Sequence, residues 1–296
     1  MELRTLGYFV AVAGEGSVSA AADVVHVTQP AISRQLRQLE QQLGVELFVR
    51  SAGRLRLSAA GREFLPHAQD VLHAAASARD AARTYAAGRL QRLTIAAPTT
   101  TLTDVIAPFL ATLGESDPMP TVVETDSSEA YTALRHGADL AIVTESPQGP
   151  LASAPIAVLP VWAYVRKGHR WRNKQSIELS ELREENLLIL TQSFRPRQIL
   201  EAALARAALD ATRTTECSNP QVAQALAAAG RGVAVVSDDP RFDLHPLHVK
   251  APDGPLRIHL YGAWEPTHHA ATTLAELVGR LAQFCLDRYG AEVAPE

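Results

Sequence analysis

Cysteine is scarce in this chain, which has only two, Cys217 and Cys285, in 296 residues. They lie far apart, so the sequence offers neither a disulfide framework nor the paired spacing of a zinc site. Disulfide-rich chains are typical of oxidising compartments, and this composition favours a cytoplasmic protein instead. His268 and His269 are adjacent but have no neighbouring metal ligands in sequence. We therefore predict no metal and no cofactor.

Long apolar segments are also missing. No window approaches the roughly 18 uncharged apolar residues of a membrane-spanning helix. The amino terminus has no basic and apolar leader of the secretory kind. The sequence therefore predicts no membrane partner.

Patterns typical of catalytic sites are absent as well. The chain contains no G-x-S-x-G nucleophile motif and no phosphate-binding glycine loop. Gly230 and Gly232 precede a predicted strand instead of following one, which indicates a helix exit. No nucleophile and base are paired by their sequence positions. We predict that the protein is not an enzyme.

The net charge of −4 does not by itself indicate a nucleic-acid partner, but the charge is unevenly distributed. Residues 28–57 contain five arginines and two glutamates, a net charge of +3 that leaves −7 for the rest of the chain. Positive charge is thus concentrated in one short segment, as in many nucleic-acid-binding proteins.

That segment includes VTQPAISRQLRQLEQQLG, residues 27–44, which predicts a helix with two unlike faces. Thr28 is placed to cap it, and Pro30 falls in its first turn. Its apolar face consists of Ile32, Leu36, Leu39 and Leu43. Its polar face consists of Gln29, Ser33, Arg34 and Arg37. Such a face is often merely solvated, but arginine and glutamine are also the side chains that form paired hydrogen bonds with guanine and adenine.

The neighbouring segments favour the second interpretation. Two short amphipathic helices precede the polar helix, and Ser17 is placed to cap the second of them. A tight turn at residues 26–28 leads into the polar helix, which completes a helix-turn-helix pattern. Alternating arginine and leucine at residues 54–57 predict a two-stranded wing. Arginines on such a wing suit contacts with phosphates.

The segment GSVSAAADVVHVTQPAISRQLRQLEQQLGVELFVR, followed by RLRLSAAG, resembles the LysR-type transcriptional regulators. The resemblance is sharpest over residues 1–62, where Ser58 replaces the usual threonine. It implies a winged helix-turn-helix DNA-binding domain at residues 1–58, a dimerisation helix at 59–88 and an effector-binding domain at 89–296. The partners it implies are double-stranded DNA, a small-molecule effector, further copies of the chain in a homodimer or homotetramer, and RNA polymerase. The residues expected to contact DNA are Ser17, Thr28, Gln29, Pro30, Ser33, Arg34, Arg37, Arg50, Arg54 and Arg56.

The middle of the chain predicts one long helix from Ser58 to about Gly88, with a heptad-like seam. Such a helix spans about 45 Å, which is difficult to bury within one domain. It either lies along its own domain or pairs with a second copy, and its length favours pairing. The seam residues are Phe64, Ala68, Val71, Ala75, Ala78 and Tyr85.

From Arg89 onward, strands and helices alternate, which predicts parallel sheets covered by helices and an α/β fold class overall. A crossing near residues 161–165 and a return near Gly262 divide the pattern into two lobes. We place the first lobe at about 89–161 and 265–296, and the second at about 162–264. The resemblance implies the same architecture, similar to that of periplasmic binding proteins.

Ligands of open parallel sheets bind beyond the carboxyl ends of the strands. Hydroxyl groups and helix starts at those ends favour a polar or carboxylate-bearing ligand. Each such residue alone is more typical of a helix cap, and Glu145 nearby would repel an anion unless it points away. The predicted effector contacts are Thr99, Thr100, Thr101, Ser127, Ser128, Thr144, Gln192, Ser193, Phe194, Arg195 and Asn219.

Two other functions remain open at this point. One alternative to a ligand-responsive regulator is a ligand-independent repressor or architectural protein, whose lobes only oligomerise. The other is a small-molecule-binding protein with an unused helical head. DNA binding would exclude the small-molecule-binding protein, and an effect of metabolites on DNA binding would exclude the ligand-independent protein.

Overall fold

The computed structural model describes residues 1–51, 54–87, 90–126, 129–147, 149–211 and 213–295. For residues 50, 51, 54 and 84–87 it describes the backbone only. The chain divides into two compact units. The first comprises Met1–Arg89 with Arg135–Gly137, and the second comprises Leu90–Leu134 and Ala138–Glu296.

The first unit consists of three short helices, a two-stranded wing and one long helix. These elements are α1 (Leu3–Glu15), α2 (Val18–Val24), α3 (Gln29–Leu43), β1 (Phe48–Ser51), β2 (Arg54–Leu57) and α4 (Ala59–Ala87). The order is the one that the sequence predicts, and the two wing strands pair antiparallel.

Local signals explain where the short helices begin and end. Gly16 ends α1 with a left-handed φ of 62°, a conformation that glycine adopts without steric strain. The Ser17 hydroxyl accepts the Ala20 N–H at 3.4 Å and caps α2, as predicted. Thr28 stands at the N-cap of α3 but forms no side-chain capping bond. Leu43 is a correction to the predicted apolar face, because it is exposed in the last turn of α3.

Phe9 of α1 lies at the centre of the first unit's core. Its ring is 5.4 Å from those of Phe48 and Phe64, centroid to centroid, and such aromatic pairs stabilise a core beyond the area that they bury. Ile32, Leu36 and Leu39 of α3 are buried in the same cluster. The polar side of α3 therefore faces away from the core.

The long helix α4 has 29 residues and extends about 44 Å at 1.5 Å per residue. The Ser58 hydroxyl accepts the Gly61 N–H at 2.9 Å and caps its first turn. Gly61 lies directly against the wing: a Cβ there would be 2.1 Å from the Leu47 carbonyl oxygen. This close approach fixes the start of α4 to the short helical domain.

In the second unit, a five-stranded sheet forms the first lobe. Its strands are β3 (Arg92–Pro98), β4 (Met119–Thr125), β5 (Leu140–Val143), β6 (Ala152–Pro160) and β14 (Arg257–Trp264), in the order β4-β3-β5-β14-β6. The first three are parallel, and β14 pairs antiparallel with β5 and β6.

A second sheet forms the other lobe. Its strands are β7 (Trp162–Val165), β8 (Ser176–Glu178), β9 (Asn186–Leu190), β10 (Arg213–Cys217), β11 (Val233–Val236), β12 (His245–Ala251) and β13 (Gly254–Pro255). They form the order β10-β9-β11-β7-β12-β13, and β8 pairs with β12.

The chain crosses between the lobes at two neighbouring points. One crossing follows β6, the other follows β13, and the Val161 N–H donates to the Leu256 carbonyl at 2.9 Å. This corrects the predicted boundary of the second lobe, because Arg257–Trp264 belongs to the sheet of the first lobe. The second lobe therefore ends about eight residues before its predicted end at 264.

Helices cover both sheets. They are α5 (Thr99–Thr101), α6 (Ala107–Leu110), α7 (Ala130–Arg135), α8 (Arg195–Arg206), α9 (Pro220–Ala228) and α10 (Ala271–Tyr289). A π-helical turn, Leu102–Ile106, joins α5 to α6. Among the helices described, none combines the length and apolarity needed to cross a membrane.

Candidate functional site

The polar side of α3 carries a set of uncommitted side chains. Gln29, Arg34 and Arg37 are exposed, as is the ring of Pro30. Neither arginine has an ion-pair partner within the described part of the chain. Glu40 is the only acidic residue of α3, and it forms hydrogen bonds outside the polar face. Its Oε1 accepts the N–H groups of Leu47 and Phe48, at 2.8 and 3.2 Å.

The buried side of α3 and a hydrogen bond to α1 fix the orientation of this polar face. The Thr5 hydroxyl of α1 donates to Gln35 Oε1 at 2.9 Å and fastens α3 to its neighbour. Ser33 is half-buried beside the exposed arginines. The arrangement presents a rigid row of donors and acceptors, with two full positive charges, to an anionic and hydrogen-bonding partner.

The wing carries one arginine whose side chain is described. Arg56 of β2 is exposed and pairs in register with Val49 of β1. The side chains of Arg50 and Arg54, predicted to contact phosphates, lie outside the described residues. Their role stays a prediction.

The predicted seam of α4 divides into two parts. Ala68 is 1 % exposed and Phe64 packs against Phe9, so both belong to the core of their own unit. This corrects the prediction for Ala68, because a side chain buried in the single chain is unavailable to a partner helix. Phe64 is half-buried, and its place in the seam stays a prediction. Val71 and Ala78 are exposed and Ala75 is half-exposed. The side chain of Tyr85 lies outside the described residues.

In the second unit, a cavity of about 160 Å³ lies between the two sheets. Both lobes line it: Thr100, Thr101 and Thr144 come from the first, and Phe194 and Arg195 from the second. These are five of the predicted effector contacts. The lining is otherwise mainly apolar, with the side chains of Val105, Leu159, Trp162, Ile258, Leu260 and Val293.

Four other predicted contacts are occupied elsewhere and do not line the cavity. The Thr99 hydroxyl donates to Glu124 at 2.5 Å, and the Gln192 amide donates to Glu201 at 2.9 Å. Asn219 Oδ1 accepts the Gln221 N–H and caps α9, and Ser193 lies 3.3 Å from the Thr191 hydroxyl. These residues are corrections: they satisfy local polar groups, as caps and turn residues commonly do. Ser127 and Ser128 lie outside the described residues.

An acidic network that no sequence motif indicated lies beside the cavity. Asp104, in the π-helical turn of the first lobe, accepts the Asp239 N–H at 2.9 Å and Arg241 Nη2 at 2.8 Å. The Tyr289 hydroxyl donates to the Asp104 carbonyl at 2.8 Å, and Arg288 donates to Asp239 Oδ2 at 2.8 Å. The network therefore joins the lobes through several hydrogen bonds.

Asp238 is buried next to this network. Burial, followed by repulsion from Asp104, raises the pKa of Asp238 to about 7. Burial likewise raises the pKa of Asp104, against the lowering effects of the Asp239 N–H and Arg241. The Thr100 hydroxyl approaches Asp238 Oδ2 at 3.5 Å, which connects the cavity lining to the buried acid.

Among the described residues, no group of three or more histidines, cysteines or acids is placed to hold a metal ion. The cavity offers hydroxyls, two arginines, three carboxylates and apolar walls, a combination suited to an organic ligand.

Known proteins resemble this chain over most of its length. Residues 3–62 match a family described as bacterial regulatory helix-turn-helix protein, lysR family, and residues 86–286 match the LysR substrate binding domain. The transcriptional regulator ClcR of Pseudomonas putida is 31 % identical over 244 residues, which cover 80 % of this chain and 83 % of that protein. The regulator TfdS of Cupriavidus pinatubonensis is 30 % identical over 247 residues, 80 % of this chain and 82 % of that protein.

Two solved structures share the whole fold. The crystal structure of CbnR, a LysR family transcriptional regulator, is similar with a TM-score of 0.71 and 25 % identity, over 95 % of this chain and 99 % of that one. Full-length CbnR in complex with its target DNA is similar with a TM-score of 0.73 and 24 % identity, over 95 % of this chain and 100 % of that one.

Proposed function

Because the chain belongs to the LysR family of transcriptional regulators, a family of DNA-binding regulators and not of enzymes, we propose that it binds an interrupted inverted repeat in DNA as a dimer or tetramer. A small polar or carboxylate-bearing molecule between the lobes changes that binding, and the bound protein contacts RNA polymerase.

The exposed polar face of α3 is the observation that carries this proposal. Gln29, Ser33 and Arg34 lie in the first turns of α3, and the early residues of a recognition helix are the ones that enter the major groove. Their side chains are free to meet base edges, whereas the other face of α3 is fixed in the core. We assign Arg56, with Arg50 and Arg54, to the phosphates on either side. Ser17, Thr28, Pro30 and Arg37 complete the proposed surface.

A repeat of two half-sites needs two copies of α3 at a fixed separation. The exposed part of the α4 seam, Val71, Ala75 and Ala78, supports pairing with a second chain. Small side chains at these positions allow two helices to approach closely. The pairing places one α3 on each half-site.

Replacing Arg34 with alanine is expected to weaken binding to the specific site by about 1–3 kcal/mol and to leave binding to random DNA nearly unchanged. Arg56→Ala is the matched control. It removes a phosphate contact, so it weakens binding to both DNAs alike and reduces the salt dependence. Gel-shift titrations on the DNA upstream of the chain's own gene and on random DNA measure both effects. Equal losses for Arg34→Ala on the two DNAs would remove its base-reading role.

Thr100→Val tests the effector part of the proposal. Valine keeps the shape of threonine but lacks the hydroxyl that lines the cavity, so we expect about five- to tenfold weaker effector binding. Thr99→Val is the control, because its hydroxyl is bound to Glu124 and does not line the cavity. A thermal-shift screen of small carboxylates and amino acids identifies a ligand, and titrations of that ligand compare the variants. Equal affinity in the parent and Thr100→Val would place the effector elsewhere.

A further inference from the structure

Arg195 and Glu145 connect the two lobes at the edge of the cavity. Arg195 is the first residue of α8 in the second lobe, and Glu145 follows β5 of the first lobe. The guanidinium Nη1 forms an ion pair with Glu145 Oε1. Because Arg195 lines the cavity and Glu145 does not, this pair lies at the margin of the cavity.

The guanidinium of Arg195 is only partly satisfied by these contacts. Its Nη1 also donates to Gln198 Oε1 at 3.2 Å. Its Nε is buried and has no hydrogen-bond partner among the described residues. Because an arginine side chain presents five N–H donors in a fixed fork, Arg195 retains donor capacity toward the cavity that it lines.

Glu145 is held more weakly than Asp104 and Asp239, two acids that line the cavity. Its side chain is 60 % exposed and does not itself line the cavity. Asp104 and Asp239, by contrast, each accept at least two hydrogen bonds from neighbouring donors. A carboxylate that arrives from solution therefore displaces Glu145 more easily than either of those aspartates.

The shape of the cavity constrains the rest of the ligand. Its volume of about 160 Å³ is close to that of an engineered protein cavity of about 150 Å³ that binds benzene. Apolar side chains such as Val105, Trp162 and Leu260 supply most of its wall. Arg257 also lines the cavity and adds positive charge, whereas three lining acids oppose a second negative charge on the ligand: Asp104, Asp239 and Glu292.

We propose that the Arg195 guanidinium is the anion subsite of the cavity, that Glu145 pairs with it from outside the lining in the ligand-free protein, and that the effector is a monocarboxylate with an apolar body about the size of one six-membered ring. The ligand carboxylate replaces that of Glu145 on Arg195. This inference rests on the proposed effector-responsive function and specifies its ligand. It also supplies a coupling: an ion pair within the protein is exchanged for a ligand that touches both lobes, which favours a different lobe arrangement.

Calorimetric titration of the full chain tests this exchange with benzoate and cyclohexanecarboxylate as probes, and with benzamide and cyclohexanecarboxamide as neutral matches. Glu145→Gln removes the competing charge, so we expect about fivefold tighter binding of a carboxylate probe, the range of a partly exposed ion pair. Binding of the amides should not change. Arg195→Gln should weaken carboxylate binding about tenfold or more, because a charged hydrogen bond is lost.

Glu184→Gln is the matched control, since Glu184 forms an exposed ion pair with Arg170 at 2.8 Å and does not line the cavity. It should leave the affinity for every probe unchanged. Three outcomes overturn the inference. They are unchanged or weaker carboxylate binding in Glu145→Gln, equal tightening for carboxylates and amides, and no binding of either carboxylate to parent or variant up to about 10 mM, beyond weak specific affinities.

Gel shifts on the same preparations keep this inference distinct from the proposed function. If the parent chain fails to prefer its operator over random DNA, the proposed regulation is wrong whatever the probes do. If the operator is bound specifically and another class of metabolite changes that binding, while Glu145→Gln has no effect on the carboxylates, only the ion-pair exchange is wrong.

Discussion

Replacing Asp238 with asparagine is expected to stabilise the second unit by about 4 kcal/mol at about pH 8, because the pKa of the carboxyl rises from 3.8 to about 7 at about 1.36 kcal/mol per unit. The side chain is 2 % exposed, and burial is the main cause of the rise. Asparagine keeps the shape of the side chain but cannot ionise. It therefore removes the penalty that a buried charge imposes on the folded state.

The sign of the effect follows from the two protonation states. Below about pH 4 the carboxyl is protonated in both the folded and the unfolded chain, so Asp238 does not penalise folding there. Between about pH 4 and pH 7 the unfolded chain releases this proton while the folded chain retains it. The stability contributed by this site therefore falls as the pH rises, and above about pH 7 the penalty is constant. Asparagine should abolish this part of the pH dependence.

Urea unfolding followed by tryptophan fluorescence measures this difference, because all three tryptophans belong to the second unit. Burial is the main cause that lowers the pKa values of His169 and His248, so these histidines add to the pH dependence of stability. Their contribution cancels when parent and variant are compared at the same pH. A stability gain for Asp238→Asn that is the same at about pH 5 and about pH 8 would contradict the assignment.

Asp117→Asn provides a control of opposite sign. Hydrogen bonds from Arg280, then from the Gly114 N–H, lower the pKa of Asp117 to about 2. The charged form is therefore the one that the folded state favours, and its contribution is lost only as the pH falls below about 4. Asparagine at position 117 should destabilise the protein at both pH values.

The DNA-binding half of the protein was largely predictable from the sequence. Its signals are local: the spacing of Ile32, Leu36 and Leu39 fixes which side of α3 is buried, and Gly16 and Ser17 mark a helix end and a helix start. Contacts between elements so close in sequence leave few alternative arrangements. The one misplaced apolar residue, Leu43, lies in the last turn, where a helix leaves the core that it packs against.

The effector-binding half was less predictable because its pairings are distant in sequence. Strand β14 pairs with β6, about a hundred residues earlier. No sequence pattern within Arg257–Trp264 indicates which sheet this strand joins. The π-helical turn that carries Asp104 has no sequence signature, and the partners of Asp104 come from the other lobe and from the last helix. Thr99 and Thr100 are adjacent and identical in type, yet only one of them lines the cavity.

The long helix shows a third limit. A heptad pattern records which side of a helix is apolar but not what covers that side. At Phe64 and Ala68 the cover is the protein's own α1 and its neighbours. The later part of the seam, from Val71 onward, is the more exposed part and the one we expect to meet a second chain.

Val71→Glu is expected to weaken self-association through α4 by at least about 3 kcal/mol, more than a hundredfold, because each copy would place an unpaired charge in the helix pair. Val71 is 41 % exposed in the single chain, so the substitution should leave the fold of each chain intact. Sedimentation velocity measures the association, and gel shifts on an operator with two half-sites measure its consequence. We expect single half-site binding to persist and cooperative binding to be lost.

Ala76→Glu is the matched control, since Ala76 is also exposed but lies about 140° around the helix from Val71 at 100° per residue. It adds the same charge to the same helix without entering the seam. Ala68→Glu is unsuitable, because a charge at this buried position would unfold the domain whatever α4 contacts. If Val71→Glu sediments like the parent and still binds both half-sites cooperatively, α4 does not hold the dimer. The spacing of the two reading helices would then have to come from contacts of the effector-binding domain.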